Sequence, residues 1–129
     1  AAVSDFRPKD VSSEKIKKSK GARESMTLEL VRTKDILASV GKIKKSGQFL
    51  VGFALETENE FENARSKMKE KNLDMIVLNS LRDKGAGFKS DTNKISILVS
   101  DGQVIDFELK VKEEVAEDIF NEIIKNIHA

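Results

Sequence analysis

The sequence predicts an α/β domain: a mostly parallel sheet with helices on both faces and an antiparallel hairpin at one edge. Three observations carry that expectation. Two continuous apolar runs, QFLVGFAL (48–55) and LDMIVLN (73–79), have the length and composition of strands buried on both sides, as in parallel sheets. Segments with helical periodicity precede and separate them, giving strand–helix alternation. Finally, KISILVSDGQVIDFEL (94–109) reads as two strands around Asp101-Gly102, a dipeptide that favours a type I′ hairpin turn.

Taken in order, AAVSDF (1–6) reads as the end of a buried strand running into a loop, and a chain that opens this way is expected to be a piece of a longer polypeptide. A polar, lysine-rich stretch follows to Ser25. MTLELVR (26–32) alternates, with Met26, Leu28 and Leu30 facing one way, as in a half-buried strand. Thr33 is placed to N-cap a helix whose Ile36, Leu37, Val40 and Ile43 share a face, and Gly47 falls in the turn after it. Thr57 and Glu60 match a capping box ahead of a helix that buries Phe61, Ala64 and Met68. Residues 80–93 form a glycine-bearing loop. The last helix, 112–127, carries Val115, Ile119, Ile123 and Ile127 on a stripe widened by Ala116, Phe120 and Ile124. Glu113 and Glu114 at its start and Lys125 near its end complement the helix dipole.

Composition narrows the function classes. The 129 residues suffice for one domain with a core. The net charge of +1, from 23 basic against 22 acidic residues, falls short of the basic excess of a dedicated DNA binder. Charge is concentrated, however: residues 1–24 hold seven Lys/Arg against four Asp/Glu. No cysteine is present, so there is neither a disulfide nor a thiolate metal site, which fits a reducing cytoplasm. No apolar run approaches the length of a membrane span.

Ligands of open α/β sheets bind beyond the carboxyl ends of the strands. That rule selects Asp5, Phe53, Glu56 and Asn79. Lys67 and Lys71, four apart, project from one helix face and could grip adjacent phosphates, although lysines in a last turn are commonly solvated. EKIKKSKGARES (14–25) has three readings: a solvated loop, a nucleic-acid patch, or a lid hinged at Gly21 that closes over an anion. The patch reading lacks interleaved aromatic residues for stacking on bases. GAGF (85–88) is not followed by P-loop residues, GxGxxG is absent, and the single histidine, His128, lies next to the last residue, so Ser/His/Asp catalysis has no support.

Taken together, AAVSDFRP…EKIKKS (1–19), KDIL (34–37), LVGFALETEN (50–59), ARSKMKEKNLDMIVLN (64–79) and GFKSDTNKI (87–95) resemble, in order and over nearly the whole chain, the C-terminal part of bacterial phosphopantothenate–cysteine ligase. That enzyme is usually fused behind a flavin-dependent phosphopantothenoylcysteine decarboxylase. The resemblance implies a Rossmann-like sheet lacking its first strand–helix unit, with residues 1–129 as one ligase portion and a flexible flap at about 15–25. It implies CTP-dependent joining of 4′-phosphopantothenate to cysteine through an acyl-cytidylate, in coenzyme A biosynthesis. Mg²⁺ would accompany CTP, and FMN would belong only to the decarboxylase half. The setting would be cytoplasmic and the assembly a homodimer, with no membrane or nucleic-acid partner.

By the same motif match, Ala1 would contribute backbone to the nucleotide site and Asp5 would contact the nucleotide. Lys15 would be the catalytic lysine, and residues 17–24 the flap. Lys34, Asp35, Ile36 and Leu37 would shape the pocket at a helix N-terminus, where many relatives carry Asn-Pro at the positions of Thr33 and Lys34. Phe53 would lie against the cytidine, and Lys67 and Lys71 would hold phosphates. The family's SN-x-SSG segment, which supplies an asparagine for making the intermediate, is absent, so these residues alone are expected to show little or no ligase activity. The alternative is a noncatalytic or nucleic-acid-binding α/β module using Lys15–Arg23.

Overall fold

The computed structural model describes residues 3–16, 26–56, 58–80 and 91–127. It divides into two compact units, Ala1–Ile36 and Leu37–Ala129.

In the first unit, β1 (Phe6–Pro8) pairs antiparallel with β2 (Leu30–Arg32), Phe6 opposite Arg32 and Pro8 opposite Leu30. Pro8 has no amide to donate, and a two-stranded ribbon, which is all edge, accommodates it. Thr33 closes the ribbon: its amide donates to the Asp5 carbonyl at 2.9 Å and its hydroxyl to the Ser4 carbonyl at 2.5 Å. Two expectations fail here. The strand expected over 26–32 is reduced to three residues, with Met26, Leu28 and Leu30 more than half exposed. Thr33 is not at the N-cap of the next helix, which begins at Ile36 and so has Asp35 at that position; the Thr33 hydroxyl donates to Ser4 instead.

That helix, α1, spans Ile36–Ile43. Its expected apolar face is also revised. Ile36, Val40 and Ile43 are exposed, while Leu37 and Gly41 make the contact. Gly41 is there because a Cβ at that position would lie 1.9 Å from the Lys71 carbonyl oxygen. Gly47, at φ 80°, sits in the following turn as expected.

The second unit is built on a four-stranded mixed sheet, ordered β3 (Val51–Glu56), β4 (Met75–Ser80), β6 (Ile95–Val99), β7 (Val104–Asp106). β3 and β4 are parallel, with Val51 opposite Met75 and Leu55 opposite Asn79; the β4–β6 and β6–β7 pairs are antiparallel. Helix α2 (Glu60–Glu70) covers one face, where Ala54, Ala64, Met68, Leu73, Ile76, Leu78 and Leu98 form a core. Helix α3 (Lys112–Ile127) covers the other, over Met75, Val77, Ile95, Ile97 and Val99, contributing Val115 with Ile119 and Ile123 beside it. Helices on both faces and an antiparallel edge hairpin agree with the expected α/β class, but among the described strands one pair is parallel and two are antiparallel, so the sheet is mixed rather than mostly parallel. A small ribbon, β5 (Thr92–Asn93) with β8 (Lys110–Val111), leads into α3.

β4 is buried on both faces, as its apolar run requires. β3 is not: it is the edge strand of the described sheet, its Gly52 and Ala54 buried while Phe53 is 72% exposed. The apolar content of α3 likewise exceeds what is covered, leaving Phe120, Ile124 and Ile127 exposed, as is Phe61 of α2.

Local chemistry explains the helix ends. Thr57 of the expected capping box lies outside the described residues; the N-cap position is Asn59, left-handed at φ 47° and without a side-chain cap. α2 ends in a Schellman motif around left-handed Asn72 (φ 54°), with the Leu73 amide donating to Met68 and the Asn72 amide to Lys69. The hairpin differs from the type I′ expectation. Only Gly102 is left-handed, at φ 99°, and its amide donates to Val99, so Ser100-Asp101-Gly102 form a three-residue loop. The Asp101 carboxylate takes up the Gln103 amide at 2.9 Å, which holds that loop closed.

Candidate functional site

The carboxyl ends of β3 and β4 form one rim, where Glu56 is opposite Ser80. Strand alternation puts Glu56 on the α2 side with Gly52 and Ala54. There it accepts an ion-paired hydrogen bond from the Lys67 ammonium. Asn63, one turn before Lys67, donates to the second carboxylate oxygen at 3.1 Å and to the Glu58 carbonyl at 2.9 Å. The Lys67 hydrogen bond holds the Glu56 carboxyl below its usual range; burial works against that and the Asn63 amide reinforces it. The Glu56 side chain is 11% exposed and that of Lys67 43%. The result is an anchored carboxylate presenting a half-solvated ammonium at a strand end, able to meet an incoming anion.

The opposite face of β3 carries Phe53 and Leu55, the ring open to solvent. In register with Leu55 is Asn79, whose side-chain oxygen is buried and accepts no hydrogen bond among the described residues; the Asn93 oxygen is in the same condition. A buried acceptor without a donor is costly enough to mark a position where a donor group is wanted. The strand-end rule points to Asn79 and Glu56. Nothing in the sequence marks Asn63 or Asn93, because their significance comes from α2 and β5 placement.

The structure distributes the sequence-selected residues as follows. Asp5, Lys15, Lys34, Asp35 and Ile36 belong to the first unit, where Asp5 and Lys15 are exposed. The Thr33–Asp5 backbone bond brings Asp5 beside the Lys34 segment. Leu37, Phe53, Lys67 and Lys71 belong to the second unit. Leu37 lies in the first turn of α1, and its half-buried side chain packs against the α2-side core. Lys71 is the C-cap of α2: its amide donates to Lys67 at 3.0 Å and its carbonyl is the group against which Gly41 packs. Ala1 and the flap residues 17–24 lie outside the described residues. Among the described residues no group of three His, Cys, Asp or Glu could hold a metal ion. A magnesium ion arriving with a nucleotide takes its ligands largely from phosphate oxygens and water, which such a residue set permits. No described helix is long and apolar enough to cross a membrane.

Sheet, helix layers and charged rim define an α/β domain of the kind that binds ligands at its strand ends. The chain belongs to the family of DNA/pantothenate metabolism flavoprotein C-terminal domains, whose model matches residues 1–127. It is 53% identical over 128 residues to a protein of an unknown prokaryotic organism named cysteine/cysteine sulfinic acid decarboxylase, covering 99% of this chain and 35% of that protein. It is 47% identical over 123 residues to the coenzyme A biosynthesis bifunctional protein CoaBC of Bacillus subtilis, covering 95% of this chain and 29% of that one. A crystal structure of the C-terminal domain of a CoaBC protein superposes with a TM-score of 0.70 at 38% identity, over 95% of this chain and 50% of that domain. The chain thus spans about a third of the curated relatives it matches.

Proposed function

We propose that this chain is part of a CTP-dependent phosphopantothenate–cysteine ligase acting in coenzyme A biosynthesis. The observation that carries the reading is a family match running through residues 1–127, together with identity to a bifunctional coenzyme A biosynthesis protein. A carboxylate oxygen of 4′-phosphopantothenate attacks the α-phosphorus of CTP, the bond to pyrophosphate breaks, and an acyl-cytidylate results. The cysteine amine then attacks the acyl carbon, CMP departs with the bonding pair, and the amine proton is lost to solvent. Both steps gather negative charge on phosphate oxygens, so positioned cations lower the barrier. Lys15 is assigned the catalytic contact with phosphate. Lys67, held at the rim by Glu56, and Lys71 are assigned to the phosphates. Phe53, with its ring exposed on β3, is assigned to the cytosine face. Ala1, Asp5 and the backbone of Lys34–Leu37 complete the assignment. Mg²⁺ bound to the triphosphate would offset its charge and orient the leaving pyrophosphate.

The reaction is assigned to a polypeptide that also carries the SN-x-SSG segment, works as a homodimer in the cytoplasm, and is joined to a decarboxylase half holding FMN. The bifunctional character of the Bacillus subtilis relative, as its name gives it, favours such a fusion. A second reading follows from the decarboxylase name of the 53% identical relative: the present chain would then serve as the accessory domain of a cysteine or cysteine-sulfinate decarboxylase.

Thermal denaturation with CTP, ATP and 4′-phosphopantothenate is the first test. A ligand at a hundredfold excess over its dissociation constant stabilises by about 2.7 kcal/mol. Stabilisation by CTP above ATP supports the ligase reading, and no shift with any of the three overturns it. In the complete polypeptide, Lys15→Gln is expected to abolish product while nucleotide binding partly survives; normal turnover would remove Lys15 from catalysis. Carbon dioxide release from cysteine sulfinate without CTP-dependent ligation would establish the second reading.

A further inference from the structure

A second candidate site lies at the other end of the sheet. A cavity of about 510 Å³ opens between α2 and the β6–β7 hairpin, at the start of β4, where Met75 is paired with Val99. Its distance from the Glu56 rim is the length of β4, six residues, or roughly 17 Å. The volume is that of a small-molecule site rather than a packing defect. Its floor is apolar: Met68, Leu73 and Leu98 are 8%, 4% and 2% exposed.

The walls are cationic and polar. Arg65 and Lys69, four residues apart on α2, line the cavity, and no carboxylate does. Among the described residues neither cation has an ion-pair partner, whereas Lys9, Lys44, Lys67, Lys110 and Lys125 each pair with a carboxylate. Like charges at this helical spacing repel each other. From the hairpin come Ser100 and Gln103, whose side chains form no hydrogen bond among the described residues. The loop that presents them is fixed by the Gly102–Val99 and Gln103–Asp101 bonds, and the Ser100 amide is tied to the Asp74 carbonyl at 2.9 Å. Two exposed cations without an ion-pair partner among the described residues, two exposed polar side chains and a buried apolar floor thus line one opening.

We infer that this cavity binds a small amphipathic anion, an apolar body bearing one carboxylate or phosphate, with the anionic group between Arg65 and Lys69 and the body against Met68, Leu73 and Leu98. Arginine would supply a bidentate fork to either head group, and Ser100 and Gln103 would donate to its remaining oxygens. The site is independent of the nucleotide reading.

Amide NMR titration of the chain with phenylbutyrate, phenyl phosphate, phenylbutylamine and inorganic phosphate tests it. The two aromatic anions are expected to give saturable shifts at Arg65, Lys69, Ser100 and Gln103. The amine and inorganic phosphate should bind at least about tenfold more weakly. The ratio between the anions identifies the head group preferred. Arg65→Gln with Lys69→Gln should remove the difference between acid and amine while the spectrum stays dispersed. Equal binding of amine and acid, shifts confined to Glu56 and Lys67, or no saturation by about 10 mM would each overturn the inference. If the double variant fails to fold, the acid–amine comparison on the unaltered chain decides alone.

Discussion

Gly41→Ala is the perturbation whose consequence the structure specifies most sharply. The added Cβ would lie 1.9 Å from the Lys71 carbonyl oxygen and 2.8 Å from its carbon. Both are backbone atoms, so no rotamer relieves the clash, and α1 and the end of α2 must separate by about 1.5 Å to reach ordinary contact. That separation strains the bonds crossing the same junction. The Asn72 side-chain amide donates to the Gly41 carbonyl at 3.0 Å, and Lys44 donates to the Asn72 carbonyl at 3.0 Å while pairing with Asp74 at 2.9 Å. Overpacking of this kind costs about 1–3 kcal/mol, and each weakened hydrogen bond adds up to about 1. Replacing a mid-helix glycine by alanine returns about 1 kcal/mol of helix propensity. The net expectation is a loss of about 2–3 kcal/mol, read by urea denaturation as a lower midpoint at unchanged slope. Lys42→Ala, one residue on and exposed, should stay within about 0.5 kcal/mol. A Gly41→Ala protein as stable as the parent, or more so, would refute the close approach of α1 to Lys71 and the reason given for glycine there.

Glu56→Gln removes a carboxylate whose pKa is lowered in the folded state, so its stabilisation is present above the unfolded carboxylate value near 4.3 and is lost as pH falls below it. The variant should be less stable at pH 7 by about 0.5–1 kcal/mol, discounted for the half-solvated Lys67, and in thermal melts the deficit should shrink and disappear as pH falls through the lowered value. Asn72→Ala forces a left-handed position on a Cβ-bearing residue without a local polar group and should cost about 1–2 kcal/mol, whereas Asn72→Gly should lose only the bond to Gly41, about 1 kcal/mol. Leu98→Ala should cost about 2–5 kcal/mol by urea denaturation, since Leu98 is 2% exposed between the sheet and α2. Gly102→Ala meets no neighbour within 4 Å but is held at φ 99°, so its cost of about 1–2 kcal/mol should be one of backbone strain alone.

What the residues disclose depends on what each pattern encodes. β4 is legible because four consecutive apolar residues, Met75 to Leu78, are covered on both faces within the described fold. α3 is legible from end to end because its period, its acidic first turn and its late lysine agree. Turn chemistry is read less well. Asp101-Gly102 favours two geometries, and the choice is made by which hydrogen bonds the flanking strands allow, Gly102 to Val99 and Val99 to Gln103. Thr33 shows another limit: a good cap residue falls two positions before the N-cap that the start of α1 requires, and its hydroxyl donates to the Ser4 carbonyl, 29 positions away in sequence. The Glu56–Lys67 rim is half legible. Helical spacing brings out the lysine, but only the fold reveals that a carboxylate holds it.

The discrepancy at β3 is informative in a different way. An apolar run records burial, and the run 48–55 is apolar on both sides of the strand. The described sheet satisfies one side, over Gly52 and Ala54, and leaves Phe53 open beside Leu55, with Phe120 and Ile124 exposed on the helix of that face. Scattered apolar residues on a surface need no explanation, but a strand whose alternate positions are both apolar would otherwise keep polar residues on its wet side. The pattern therefore leads to the expectation that this side is covered when the protein works. It does not state by what: a planar base against Phe53 and a layer of polypeptide make the same demand on the sequence. The distinction lies in how much is covered. A base would protect Phe53 and its immediate neighbours, whereas polypeptide would extend the protection to Leu55, Phe120 and Ile124. Comparing solvent protection of those four side chains in the free chain, with CTP, and in the complete polypeptide separates the two.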